Sequence, residues 1–359
     1  MDFTLLYITI AVGLSGLVIQ RSKVWTICIY FFAWTLMWTK YTPDYSAYQD
    51  IYYSNFEFRD VGYQVLCAGG RMLGLTFFEF FMSIGFVAMA LYCVFTLRYV
   101  HKNSLVAGLW MLCVSMFDIV QFRNFLAFAV LLCFIPLLFK PTRNRLILYV
   151  VGVALASTIH LTMSFYLLFI FMNTQWFSAK YFRIILIPLL VVCVGVYLGL
   201  DMYSEKAERL MSLYDRKTSD LTKWAVGFLL VGNAVFVYLW SRRKTELMLT
   251  PREIEFSVSP GHIVTLMNVA LIVLLPISFQ SLTVMRLYKY MAIVNFGYIA
   301  NHMASYTNWR LAPQTALLSL YALSYLALMI FIHAGLFLKT IAKPIFMTNI
   351  FWPTVAGYF

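Results

Sequence analysis

Two arginines and a histidine stand out in this sequence because each lies in a short polar group at or near membrane depth, where charge is costly. Arg123 follows Asp118 and Gln121 and precedes Asn124, between two apolar runs. Arg286 lies in a similar gap, with Gln280, Ser281 and Thr283 before it and Tyr288 and Lys289 after it. A guanidinium holds phosphate oxygens by forked hydrogen bonds, so two of them suit a pyrophosphate carried on a lipid. His160 sits with Ser157, Thr158, Thr162 and Ser164 inside an apolar stretch running from 146 to 172. Histidine is the side chain whose unperturbed pKa suits a proton acceptor near neutrality. Asp44 precedes Tyr45, Tyr48 and Tyr52, which fall on one face of a helix. Each residue also has a plainer reading. The arginines would be interfacial anchors, the histidine a packing residue, the aspartate helix-start chemistry and the tyrosines an aromatic belt. Glu79, among phenylalanines, is a further candidate whose plain reading is a hydrogen bond within the bundle.

The elements that carry these residues follow from composition. Of 359 residues, 62% are apolar and 12% charged, with 32 Phe, 24 Tyr and 9 Trp. A soluble chain carries charge at about a quarter of its positions. A surface this poor in charge would not stay dissolved, so the expected class is all-α: a polytopic membrane bundle forming one integrated domain over residues 1–359. The net charge of +12 does not indicate nucleic acid, because the basic residues stand singly or in small groups between apolar runs, a pattern of membrane orientation. The apolar stretch 3–19 begins after Asp2 without a basic leader and reads as a retained span. The six cysteines lie in or beside apolar runs without a C-x-x-C pair, and read as buried small hydrophobes.

Apolar runs bounded by charge predict about twelve spans: 3–19, 24–39, 74–97, 104–119, 124–139, 146–160, 161–172, 184–200, 224–240, 262–280, 287–303 and 313–334. The division near His160 is made because residues 146–172 are too long for one crossing and polar at the middle. Lysine and arginine bias orients the bundle. With the second span running outward, the inner loops hold 14 basic and three acidic residues, against 13 and 12 on the other side. Both termini are then outside, as are Asp44, Arg123, His160 and Arg286. Segments 40–62 and 201–223 are expected as partly helical extracytoplasmic pieces, with 118–124 and 281–289 as short outward turns. In the first, Thr42 would cap a helix with Pro43 in its first turn. In the second, Tyr203, Ala207, Leu210, Met211 and Tyr214 recur at helical spacing with charges between, suiting an interfacial helix. No internal repeat is present. The sequence contains no G-x-x-x-x-G-K-[ST], no H-E-x-x-H and no Asp-x-Asp on a loop, so neither a metal nor a cofactor is expected.

Four short motifs, in order, resemble those of EpsG-like, Wzy-type polysaccharide polymerases. They are Asp44, Tyr45, Tyr48 and Tyr52 followed by the pair Gly62 and Tyr63; Gln121, Arg123 and Ala127; Ile159, His160 and Thr162, with threonine in place of serine; and Arg286 with Tyr290. The acid that precedes the Gly-Tyr pair in that family is Glu57 or Asp60 here. The resemblance implies an architecture similar to the multi-span (GT-C-like) glycosyltransferases that use polyprenyl-linked donors. It also implies an activity: joining lipid-linked oligosaccharide repeat units on the outer face of the bacterial inner membrane. Undecaprenyl-pyrophosphate-linked oligosaccharide would serve as both donor and acceptor, and a chain-length regulator is a conceivable protein partner.

On this reading Arg123 and Arg286 clamp the pyrophosphate, and His160 or Asp44 takes the proton of the attacking sugar hydroxyl, His160 being preferred. Tyr45, Tyr48 and Tyr52 stack on sugar faces, and Gln121, Lys289 and Tyr290 complete substrate binding. A flippase for lipid-linked sugars is the rival of another class, and should carry pseudo-symmetric halves with charges deep in several spans. An O-antigen ligase is a second rival and would have a larger late outward loop. A membrane acyltransferase fits less well, as His160 lacks a second set of deep polar partners.

Overall fold

The structure, a computed structural model, describes residues 4–54, 60–139, 142–172, 220–241, 260–272, 285–303, 313–332 and 337–356. Every regular element among them is helical. In chain order these are α1 (Thr4–Ile19), α2 (Lys23–Thr35), α3 (Tyr45–Tyr53), α4 (Val61–Met72), α5 (Phe77–Tyr99), α6 (Asn103–Cys113), α7 (Ser115–Val120) and α8 (Phe122–Leu132). A 3-10 turn over Ile135–Phe139 leads to α9 (Arg143–Ile159), and a 3-10 segment over Leu161–Met172 follows it. Then come α10 (Asp220–Ser241), α11 (Pro260–Ile272), α12 (Met285–Asn301), α13 (Pro313–Ile332), a π turn at Leu338–Ala342, α14 (Lys343–Met347) and α15 (Phe351–Ala356). The expected spans at 184–200 and the segment 201–219 lie outside the described residues.

Helix starts follow local chemistry. The Ser22 side chain accepts the Trp25 N–H to open α2, and Thr142 does the same for Arg145 at α9. At α5, Thr76 and Glu79 form a reciprocal capping box. That box accounts for Glu79, which is an exposed helix-start residue.

Among the described residues, three helical stretches are long and apolar enough to cross a bilayer: Phe77–Tyr99, Phe122–Phe139 (α8 with the turn after it) and Trp224–Ser241. Several others, such as α1 with 16 residues, are apolar but shorter. Large apolar side chains are exposed on their outer faces, among them Leu14, Val24, Phe31, Phe86, Ile147 and Phe228. Such a surface would aggregate in water and suits lipid. The inner faces meet in an aromatic core, where Trp110 touches Tyr30 at 5.1 Å and Tyr92 at 5.4 Å between ring centres. The α1–α6 contact is closer still. A Cβ on Gly16 would lie 3.1 Å from the Gly108 Cα, so two backbones touch there without side chains between them.

The bundle has two chemically different ends. At one end Arg21, Lys23, Arg98, Lys102 and Arg143 flank helix termini, Ser22 N–H bonds the Ser104 hydroxyl at 3.0 Å, and Asn301 bonds the Tyr99 carbonyl at 2.7 Å. At the other lie α3, the starts of α4, α5, α8 and α12, and the end of α9.

Several local expectations are corrected. Residues 118–124 are helical: α7 and α8 meet in a bend at Gln121 (φ −92°, ψ 50°). Residues 285–289 begin α12, with Lys289 fully buried. α3 starts at Tyr45 with Asp44 at its N-cap, because Thr42 forms a turn in which its carbonyl accepts the Tyr45 N–H at 3.0 Å. Cys28 and Cys133 are exposed rather than buried. α4 falls where no separate helix was anticipated. The chain break near His160 occurs where the polar cluster placed it.

Candidate functional site

The polar end of the bundle is assembled around Arg123, the second residue of α8. Its Nη1 lies 3.1 Å from the Asp60 carboxylate. Its guanidinium also faces the rings of Tyr48 at 5.9 Å and Tyr63 at 5.8 Å. Asp60 stands just before α4, and its second oxygen accepts the Leu161 N–H at 3.2 Å. One carboxylate therefore ties three chain segments together: the α4 start, the α8 start and the chain just after His160. Burial pushes the Asp60 carboxyl above the ordinary aspartate range, against the opposing pull of Arg123 and the Leu161 N–H.

His160 terminates α9 with an extended backbone (φ −150°, ψ 115°) and is half-buried. Its Nδ1 lies 2.7 Å from the Thr162 hydroxyl, two residues on. Nδ1 also lies 3.4 Å from the Thr162 N–H, which donates to it, so Nδ1 has both a donor and a hydroxyl beside it; Nε2 is able to accept a proton in the tautomer whose Nδ1–H donates to the hydroxyl. Gly62 allows α4 to come this close: a Cβ there would lie 2.9 Å from the Thr158 carbonyl carbon and 2.8 Å from its Cβ.

A second layer lies inward of Arg123. The Lys289 Nζ sits 2.8 Å from Asp118 and donates to Gln121 at 3.1 Å, while Trp110 Nε1 donates to Asp118 at 3.0 Å. Both Asp118 and Lys289 are fully buried. This group joins α6, α7 and the α8 bend to α12. Arg286 is the second residue of α12, one turn before Lys289, as Arg123 is the second residue of α8. Next to it, the Leu287 carbonyl accepts the Tyr166 hydroxyl at 2.6 Å, linking the first turn of α12 to the segment after His160.

The remaining sequence candidates fall as follows. Tyr48 joins Arg123. Tyr45 and Tyr52 share its helical face but pack on phenylalanines: Tyr45 on Phe77 at 4.9 Å, Tyr52 on Phe80 at 5.0 Å, with the Tyr52 hydroxyl bonded to the Leu75 carbonyl. Asp44 is half-buried, one turn before Tyr48. Tyr290 is buried and stacks on Phe128 at 4.8 Å. Gln121 and Lys289 bond each other inside the bundle. Sequence reasoning did not single out Asp118, and left Asp60 as one of two choices. Asp118 was visible as a lone acid in an apolar run. Glu57 lies outside the described residues. No group of metal-ligating side chains occurs among the described residues.

A helical protein with lipid-suited outer faces and a cluster of arginine, aspartate and histidine at one end is a membrane protein with a polar site at the rim of its bundle. The profile of the EpsG family matches residues 23–344, and the chain belongs to that family. No curated protein and no solved structure matches it.

Proposed function

We propose that this protein is a polysaccharide polymerase, a glycosyltransferase that joins undecaprenyl-pyrophosphate-linked oligosaccharide repeat units at the outer face of the bacterial inner membrane. The observation that carries the reading is the Asp60–Arg123–Leu161 junction, which brings an arginine at a helix start beside the histidine-bearing break. A helix N-terminus adds its own exposed N–H groups and dipole to an arginine, favouring phosphate oxygens. In the reaction, Arg123 and Arg286 hold the donor pyrophosphate and stabilise its charge as it departs. The acceptor hydroxyl attacks the anomeric carbon and its proton passes to His160 Nε2. Asp44 orients the acceptor, and Tyr48 offers a ring beside Arg123. Asp60 orients Arg123, and Gln121 and Lys289 support the same end from within. The architecture is taken as about twelve spans of the GT-C-like kind, with the basic end in the cytoplasm.

The test uses purified protein in lipid with its host's undecaprenyl-pyrophosphate repeat unit and no nucleotide or metal. A product ladder spaced by one repeat unit supports a polymerase. Transfer of the substrate across the bilayer without a ladder makes the protein a flippase. If Arg123→Ala and Arg286→Ala both keep full ladder formation, the clamp is wrong.

A further inference from the structure

A second cleft opens at the same end, on the other side of α3 from Arg123. It encloses about 440 Å³ and is lined by Lys40, Ser46, Gln49, Tyr53, Phe78 and Glu79, with Tyr45 and Thr76 at its edge. Ser46, Gln49 and Tyr53 of α3 line the cleft, while Tyr48, on the buried face that it shares with Tyr45 and Tyr52, reaches Arg123, so the nine-residue helix α3 is the wall between the two sites.

The lining is both fixed and unspent. Glu79 Oε2 is held by the Thr76 N–H at 2.7 Å and the Thr76 hydroxyl at 2.8 Å, while its Oε1 takes no protein hydrogen bond among the described residues. The Tyr53 hydroxyl is anchored by the Phe77 N–H at 3.1 Å, and its ring is exposed. Lys40 lies over the Phe78 ring at 4.9 Å and forms no ion pair with Glu79, although both line the same cleft. One cation and one carboxylate cancel, so the cleft does not select an anion. An amide, a hydroxyl and a carboxylate around two aromatic rings suit a neutral ligand that has both hydroxyls and apolar faces.

We propose that this cleft is a saccharide-binding subsite that holds sugar rings of a repeat unit, apart from the pyrophosphate. The proposal rests on the polymerase reading, since an enzyme that joins two glycans must hold both at one end of the bundle. The probe is the host's repeat-unit oligosaccharide freed of lipid and pyrophosphate, followed by saturation-transfer NMR on the full chain in lipid discs. Transfer to the sugar protons is expected for wild type. At least a fivefold loss is expected for Gln49→Ala and for Glu79→Gln, which keeps a side chain able to complete the cap. Transfer absent in wild type, or unchanged in both cleft variants, overturns the subsite. Polymer fragments that compete better than a single unit assign the cleft to the growing chain; equal competition assigns it to the incoming unit. The ladder assay separates the two ideas. A ladder without cleft binding sinks the subsite alone, whereas cleft binding without a ladder sinks the polymerase and leaves a saccharide site.

Discussion

Arg123 is held on three sides, by a carboxylate and two rings, which leaves little freedom for its fork. Arg123→Lys keeps the charge but loses the planar pair of donors, and should lower the ladder-forming rate by about a hundredfold; near-wild-type rates would reduce the arginine to a point charge. Asp60 supplies a pH prediction. Its proton is bound more tightly in the fold than in the unfolded chain, so its stability contribution is complete at acid pH and fades as pH rises through the raised value. Acidification therefore does not unfold the protein through Asp60. It neutralises the partner of Arg123, so activity should fall at a pH above the ordinary aspartate range while the thermal midpoint holds. Asp60→Asn should remove that acid limb from the pH–rate profile, and an unchanged limb would assign it elsewhere. Arg123 and His160 were legible in the sequence because each stands in a short polar group set between or within apolar runs. The choice of Asp60 was not, because it depends on which loop reaches α8.

The elements explain what spacing alone could not. The chain break at His160 was readable from its polar cluster, but the bends at Val114 and Gln121 carry neither glycine nor proline and left no local signal. They exist because Asp118 turns back to the Trp110 indole while Gln121 meets Lys289. α4 buries Tyr63, Cys67 and Gly70 on one face, a helical pattern in a segment too short and polar to read as a span. Gly62→Ala would push α4 from Thr158, part Asp60 from Leu161 and weaken activity more than folding; activity equal to wild type would show that the junction tolerates the shift. The Asp118–Lys289 pair gives a sharper test. Asp118→Leu or Lys289→Met alone strands a buried charge and should cost about 3–5 kcal/mol, while the double variant should recover most of that loss. Thermal unfolding in detergent measures all three, and a double variant as unstable as the singles would deny that the two charges are coupled.

At the scale of the whole molecule, composition and charge placement carried most of the argument. The all-helical class and the lipid-suited outer faces follow from apolar content. The gathering of Asp44, Arg123 and His160 at one end, away from Arg21, Arg98 and Arg143, follows from alternating spans. What composition could not supply is the second polar layer, because buried ion pairs depend on helix register. The orientation is open to direct test. Gln49→Cys and Arg145→Cys, each in a chain with its native cysteines replaced, should react with a membrane-impermeant thiol reagent from opposite sides, Gln49→Cys from outside. Labelling of both from one side would overturn the bundle's polarity.

The segment after His160 winds as a 3-10 helix over 12 residues, Leu161–Met172. At about 2.0 Å per residue it reaches roughly 24 Å, where an α-helix of the same length would reach about 18 Å. The chain thus stretches a short stretch into a longer ruler, and His160 stands at its zero mark. Removing one residue from that ruler would slide its end by about 2 Å and rotate it by a third of a turn. With the far end held, the Leu161 N–H would then swing off Asp60, and the residues between it and the deletion would face new neighbours. A one-residue deletion in this segment should therefore cost more activity than a same-size apolar exchange at Met163, and equal losses in the ladder assay would deny the ruler.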